Sequence, residues 1–370
     1  MRKNIQYKKL GDICDFISGG TPSKSKIEYW KDGKIPWIKI SDFKKKYIKI
    51  SDEKITKSGL ENSSAKILKK GTILYTIFAS VGKVAILDIE ATTNQAIVGI
   101  DLKENNLLDK DFLYYFLCSI ENNIKKQARG VAQNNINISI LKNISIPILS
   151  MSLQKNIVKT LKKLEDILEN FKQKKLLINF LNKSLFIKFN KNGVEKQLDE
   201  VADIIMGQSP LSQSYNIDKK GLPFYQGKTE FGDMYIKESN IYCNSPIKIA
   251  EKNDILMSVR APVGDINIAI HKSCIGRGLA SIRAKKIDYL YLFYLLKEQK
   301  TRIEKMGVGS TFKAINKNNI SSLKISIVEM NKQNKIKKYL ILAEKLSFEI
   351  EKSIKEAENL YNSLMSKYFD

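Results

Sequence analysis

The sequence predicts an α+β protein: two duplicated mixed α/β domains with pseudo-two-fold symmetry, separated by two long antiparallel coiled-coil helices. Three observations predict this. A series of sequence blocks recurs in the same order across the 370 residues, at offsets between 177 and 188. Within each copy, short β-branched and aromatic runs broken by Gly, Pro, Asn and Asp give way once to a stretch lacking Gly and Pro. That stretch repeats apolar side chains every seven positions. The boundaries fall at 1–150 and 190–328 for the domains, and at 151–189 and 329–370 for the helices.

Each copy opens on an apolar, partly alternating run ending in Gly-X-Ser/Thr-Pro: LGDICDFISGGTPS from Leu10 and LDEVADIIMGQSPL from Leu198. A strand with Pro before an aromatic follows, IPWIKISDF from Ile35 and LPFYQGKTEF from Leu222. Residues 71–87 and 254–270 read as hairpins, and NQAIVGI from Asn94 matches GRGLASI from Gly276 at offset 182. One helical patch interrupts the strands, at 112–129 and 289–306, with FLYYFL matched to YLYLFYL at offset 177. RGVAQNN and MGVGSTF are Gly-containing polar loops before a final strand. The heptad seams are Ile157, Leu164, Phe171, Ile178 and Leu185 in the first helix, and Ile336, Ala343, Ile350, Ala357 and Leu364 in the second. Each helix would be about 55 Å long. A seam of that length must be buried, and its own duplicate is the matching seam. The alternatives are that each helix folds back on its own domain or serves a homodimer.

Composition narrows the class. The 43% hydrophobic content supports a packed core, and no run of eighteen uncharged apolar residues could span a membrane. The opening MRKNIQYKKLGD lacks the apolar core of a secretory signal. Cys14, Cys118, Cys243 and Cys274 form no CxxC pair, so a cytoplasmic chain with reduced thiols is expected. The formal charge is +24, which suits a polyanionic partner. Lys, Ile and Asn also accumulate under AT-rich codon usage, so distribution matters more than the total. The two domain segments carry +10 and +7, the first helix +6 and the second +1.

Catalytic signatures are missing. There is no Pro-Pro pair for the base-holding loop of an amino-methyltransferase, and no Pro precedes an Asp as in many metal-dependent nucleases. Gly82-Lys83-Val84 lacks the hydroxyl and the upstream glycine of a P-loop. The single His271 has no second histidine for a metal site. No catalytic and no metal-ligating residue is therefore assigned.

What recurs instead suits nucleic-acid contact. Ser18, Thr21, Lys24 and Lys26 follow the first strand, as Gln208, Ser209 and Gln213 do in the second copy. Lys39, Ser41, Lys44, Lys45 and Lys46 form a basic stretch after Trp37, which is expected in the core because Phe224 is its counterpart. Gln226 and Lys228 stand opposite. Arg129, Gln133 and Asn134, with Ser310, Thr311 and Lys313, lie on the polar loops, and Arg260 and Arg277 add forked donors. Gln and Asn pair bidentately with adenine, and Arg with guanine.

The LGD-I-x-x-x-x-SGGTPS opening, its repeat, the Pro-aromatic strand, the glycine-containing loop before ISIPI and the LQKNIVKTL–SLFIKF helices together resemble the specificity subunits of type I restriction–modification enzymes. The resemblance covers both halves of the chain. It implies two target-recognition domains, each reading one half of a bipartite double-stranded DNA target, with the helices as spacer. It further implies docking of two modification (methyltransferase) subunits and association with ATP-driven restriction subunits. No cofactor is then expected on this chain; S-adenosylmethionine, ATP and magnesium belong to the partners. The copies differ most at 24–33 against 212–221 and at 43–66 against 231–248, so an asymmetric target is expected. The competing readings are a non-enzymatic DNA-binding repressor or architectural protein, which the missing helix-turn-helix signature disfavours, and a two-domain enzyme with an unfamiliar site.

Overall fold

A computed structural model describes residues 6–104, 106–121, 124, 136–307 and 314–369. Contacts divide the chain into two units, 1–172 with 352–370 and 173–351. In each unit the first strand pairs with the last. Gln6–Lys9 runs antiparallel to Ser145–Ile148, with Gln6 facing Ile148. Val194–Gln197 runs antiparallel to Lys324–Ile327, with Val194 facing Ile327. The sequence blocks did not announce this pair, because its exposed residues carry no apolar pattern.

The four central strands of each unit also repeat register for register. In the first unit Cys14–Ser18 pairs with Ile97–Leu102, which pairs with Ile73–Thr76 and, through it, Val84–Leu87. The second unit repeats this with Ala202–Met206, Leu279–Ala284, Ile255–Ser258 and Ile266–Ile268. The expected hairpins are thus 73–76 with 84–87 and 255–258 with 266–268. Ile35–Ile38 lies parallel to Thr92–Thr93, as Leu222–Tyr225 does to Ser273–Ile275. Trp37 is in the core, only 3% exposed.

One expectation needs correction. The helical patches align at offset 179 rather than 177, because Lys110–Ser119 and Tyr289–Glu298 begin at the N-caps Asp109 and Asp288. Tyr115 is therefore the counterpart of Tyr294, and the T-shaped pair Tyr114–Tyr115 that of Phe293–Tyr294. The same offset relates two buried glutamines. Gln154 Oε1 accepts from Asp109 N at 2.8 Å, while its Nε2 donates to Leu149 O at 2.8 Å and Leu107 O at 3.1 Å. Gln333 Oε1 accepts from Asp288 N at 3.2 Å, and its Nε2 donates to Val328 O at 2.8 Å.

Two helices of 40 residues, Met151–Asn190 and Met330–Phe369, carry the heptads. Within the first unit they run antiparallel: Lys172 pairs with Glu358 at 3.2 Å, and Tyr361 donates to Glu165 at 3.3 Å. Within the second, Lys175 pairs with Glu351, and Phe189 stacks on Tyr339 at 5.8 Å. The helices also enter the domain cores. Ile157, Val158, Leu161 and Met365 join the first core, and Phe186, Ile336 and Leu340 the second. Each core is thus closed by helical segments from both copies.

Candidate nucleic-acid interface

In each unit the end of the opening strand crosses beneath a tight turn. Gly19 N donates to Ile97 O at 3.1 Å and Gly20 N to Thr93 O at 2.8 Å. In the second unit Gly207 N donates to Leu279 O at 2.9 Å and Gln208 N to Ile275 O at 3.0 Å. Glycine is required by close approach: a Cβ on Gly19 would stand 2.0 Å from Asn94 O, and one on Gly207 2.1 Å from Gly276 O. The turns close on themselves, Ile97 N to Asn94 O at 3.1 Å and Leu279 N to Gly276 O at 3.0 Å. The Gly-X-Ser/Thr-Pro motif thus buries its backbone while leaving its polar side chains at the rim.

That rim collects several predicted residues. Ser18 is exposed at the strand end, and the Thr21 hydroxyl donates to Gln95 Oε1. Ser209 Oγ accepts from Arg277 N at 3.3 Å. Gln208, Gln226 and Arg277 are exposed, and Gln226 lies against the turn, since a Cβ on Gly278 would meet Gln226 O at 2.2 Å. Gln213, in the short 3-10 turn Ser212–Ser214, is also exposed. Arg260 is exposed, its backbone bridged to Ala314. Arg129, Gln133, Asn134, Ser310, Thr311 and Lys313 lie outside the described residues. The segments carrying them return on matching bonds, Ile136 N to Ile77 O at 3.1 Å and Ile315 N to Val259 O at 3.0 Å. Sequence reasoning missed Gln95, although carrying Arg277 back across the 182-residue offset finds it.

The lysines divide into engaged and available. Lys24 lies over Trp30 at 3.5 Å and pairs with Glu53 at 2.8 Å; Lys39 reaches the same carboxylate at 2.5 Å. Hydrogen bonds from Lys24 and Lys39 hold the Glu53 carboxyl below its ordinary range. Lys26 donates to Tyr29 Oη at 3.0 Å. Ser41, Lys44 and Lys45 are exposed, and Lys44 stands 3.9 Å from Asp52. Lys46 is turned inward, its side chain 15% exposed, 3.1 Å from Asp111 and 4.3 Å and 4.4 Å from the ring centroids of Tyr115 and Tyr114. Its ammonium is therefore an internal counter-ion rather than part of the open basic stretch.

Lys228 is also paired, at 2.6 Å from Asp265, which takes Lys300 on its other oxygen at 2.6 Å. Burial pushes the Asp265 carboxyl up, but the bonds from Lys228 and Lys300 outweigh it and hold the group below the ordinary carboxylate range. The folded value lies under the unfolded one, so this stabilisation is in place above the ordinary carboxylate range. It fades as pH falls through the lowered folded value. Asp265→Asn should release Lys228 and loosen Lys300, which keeps Glu304 at 3.8 Å, on the second unit. Non-specific DNA affinity should rise, and the slope of log K against log salt should steepen by about 1 to 2. Titrating binding to random-sequence duplex across salt concentrations measures it; an unchanged slope would show that neither lysine reaches phosphate.

A second surface lies on the helices. Phe180, 71% exposed, stands with exposed Leu176, Leu177 and Leu181 on the segment belonging to the second unit, as do Leu342, Leu346 and Phe348 on the other helix. Large apolar side chains are thus exposed on both helices of this unit. Among the described residues no helix is long and apolar enough to cross a membrane, and no cluster of three or more His, Cys, Asp or Glu could hold a metal ion.

The family description "Type I restriction modification DNA specificity domain" matches residues 2–179 and again 190–358. A chain of Methanocaldococcus jannaschii described as the type I restriction enzyme MjaX specificity subunit is 34% identical over 95% of this chain and 89% of its own length. Two solved structures share the fold. One, from work on assembly and conformational transition of a type I R-M system, gives a TM-score of 0.65 at 24% identity, covering 100% of this chain and 98% of its own. The other, a type I restriction-modification S subunit from M. genitalium, gives 0.61 at 20% identity, covering 100% and 97%.

Proposed function

The chain belongs to the type I restriction modification DNA specificity family, and on that premise we propose that it is the sequence-reading subunit of such a system. Each unit reads one half of an asymmetric bipartite DNA target. The observation that carries this is a rim built twice on the same register with different side chains: Thr21 and Gln95 in one unit, Ser209 and Arg277 in the other. Identical scaffolds present different donors and acceptors, as two unlike half-sites require.

The chain performs no chemistry itself in this reading. Two modification subunits supply S-adenosylmethionine-dependent adenine methylation, and restriction subunits supply ATP- and magnesium-dependent translocation and cleavage. The exposed apolar helix positions around Phe180 and Phe348 suit docking of the modification subunits. The helices fix the separation of the half-sites, and the complex works in the cytoplasm. Methylome sequencing of a host carrying the partner genes, with and without this gene, tests the reading. A bipartite adenine-methylated motif should vanish on deletion; an unchanged methylome overturns it.

A further inference from the structure

We propose that the turns Asn94–Ile97 and Gly276–Leu279 are base-reading turns, with Gln95 and Arg277 as the specificity-determining side chains at the same position of each. Gln95 would take an adenine and Arg277 a guanine in the major groove. The proposal rests on the reading above and names the residues through which one base pair of each half-site is recognised.

The turns are equivalent bond by bond, as their shared closures and the glycine crossings beneath them establish. On each turn one long polar side chain projects. The other first-turn positions are Asn94, whose shorter side chain is turned back on the turn with Oδ1 accepting from Ala96 N at 3.1 Å, then Ala96 and Ile97. In the second turn the flanking residues are Gly276 and Gly278. Small neighbours let a base edge approach the single fork. The closing bonds hold the main chain of each turn, and that fixes where each long side chain is anchored.

The supporting bonds differ in a way that matches the bases. Thr21 donates its hydroxyl to Gln95 Oε1, which retains a second lone pair for adenine N6–H, while Nε2–H points at N7. Ser209 holds the Arg277 main chain instead, and the guanidinium has no hydrogen bond or ion pair among the described residues. It is free for guanine O6 and N7. Compositional drift does not account for this arginine: only six of the 63 basic residues are Arg, and the equivalent position of the other copy is not basic at all. An exposed lysine would serve phosphate equally well, whereas the forked group is the one that discriminates bases.

The test is methylome sequencing of the assembled system carrying Gln95→Arg or Arg277→Gln. Gln95→Arg should change one position of one half-site from A to G. Arg277→Gln should change one position of the other from G to A. The remaining positions and the spacing should stay as they are. Alanine at either site should relax that single base pair, lowering discrimination there roughly 5- to 150-fold. If alanine silenced modification altogether, the reciprocal swap decides, since it keeps a fork at the turn. A shifted base supports the proposal, and continued silence overturns it. A wild-type motif that none of the variants alters also overturns it while leaving the proposed function intact. Absence of any gene-dependent bipartite motif in the wild type would instead remove the proposed function itself.

Discussion

Gly207→Ala lowers the melting temperature of the protein by about 6–12 °C and abolishes modification at the whole bipartite target. The new methyl group would sit 2.1 Å from Gly276 O and 2.7 Å from Leu279 O, both main-chain atoms that cannot swing aside. Relief requires lengthening the Gly207 N to Leu279 O bond, now 2.9 Å, and displacing the turn that carries Arg277. Overpacking against backbone costs about 3 kcal/mol. Gly19→Ala should do the same in the other unit, where the methyl group would meet Asn94 O at 2.0 Å. Gly227→Ala is the internal control, because nothing lies within 4 Å of its added Cβ. Scanning calorimetry on the three variants checks the ordering. Equal melting temperatures for Gly207→Ala and Gly227→Ala would show that the crossing is looser than its geometry.

The second large effect belongs to the buried glutamines. Gln154 and Gln333 are 0% and 2% exposed, and each ties the start of a long helix to the N-cap of a domain helix. Leucine fills a similar volume but returns none of the bonds. Gln154→Leu strands three backbone groups, Asp109 N, Leu107 O and Leu149 O. Gln333→Leu strands two, Asp288 N and Val328 O. At about 1–3 kcal/mol per unsatisfied group, partly recovered by relaxation and apolar burial, Gln154→Leu should cost about 3–5 kcal/mol and Gln333→Leu about 2–3. Denaturant titration of each variant reads this directly. The reverse order would mean that bond counting does not govern these sites.

Much of this architecture was legible in the residues. The duplication, the hairpins and the heptads follow from order and period, and Trp37 was placed in the core by its counterpart Phe224. The helix register was two residues out for a physical reason. FLYYFL and YLYLFYL are apolar at every position, so composition carries no phase, and the N-caps Asp109 and Asp288 set it instead. Lys46 was read with Lys44 and Lys45 as one basic run. Placement just before the strand Tyr47–Ile48 turns it inward onto Asp111 and two tyrosines, which no charge count reveals. Gln95 sits inside the NQAIVGI block, which the repeat marks as an apolar strand rather than as a contact loop. Its bond to Thr21 connects residues 74 positions apart and exists only in the fold.

The division of the units sets a timetable for synthesis. The second unit, 173–351, is continuous in sequence and has all its residues once that stretch has emerged. The first unit is made first but finished last. Phe112 and Phe116 wait for Phe369, at 5.2 Å and 6.1 Å in the finished protein, through about 250 further residues. At roughly 5–20 residues per second that is an interval on the order of 10–50 s, during which an aromatic surface of the nascent chain stays uncovered. The unit interrupted in sequence is therefore the one expected to need protection on the ribosome, and the segment 352–369 is what ends that need.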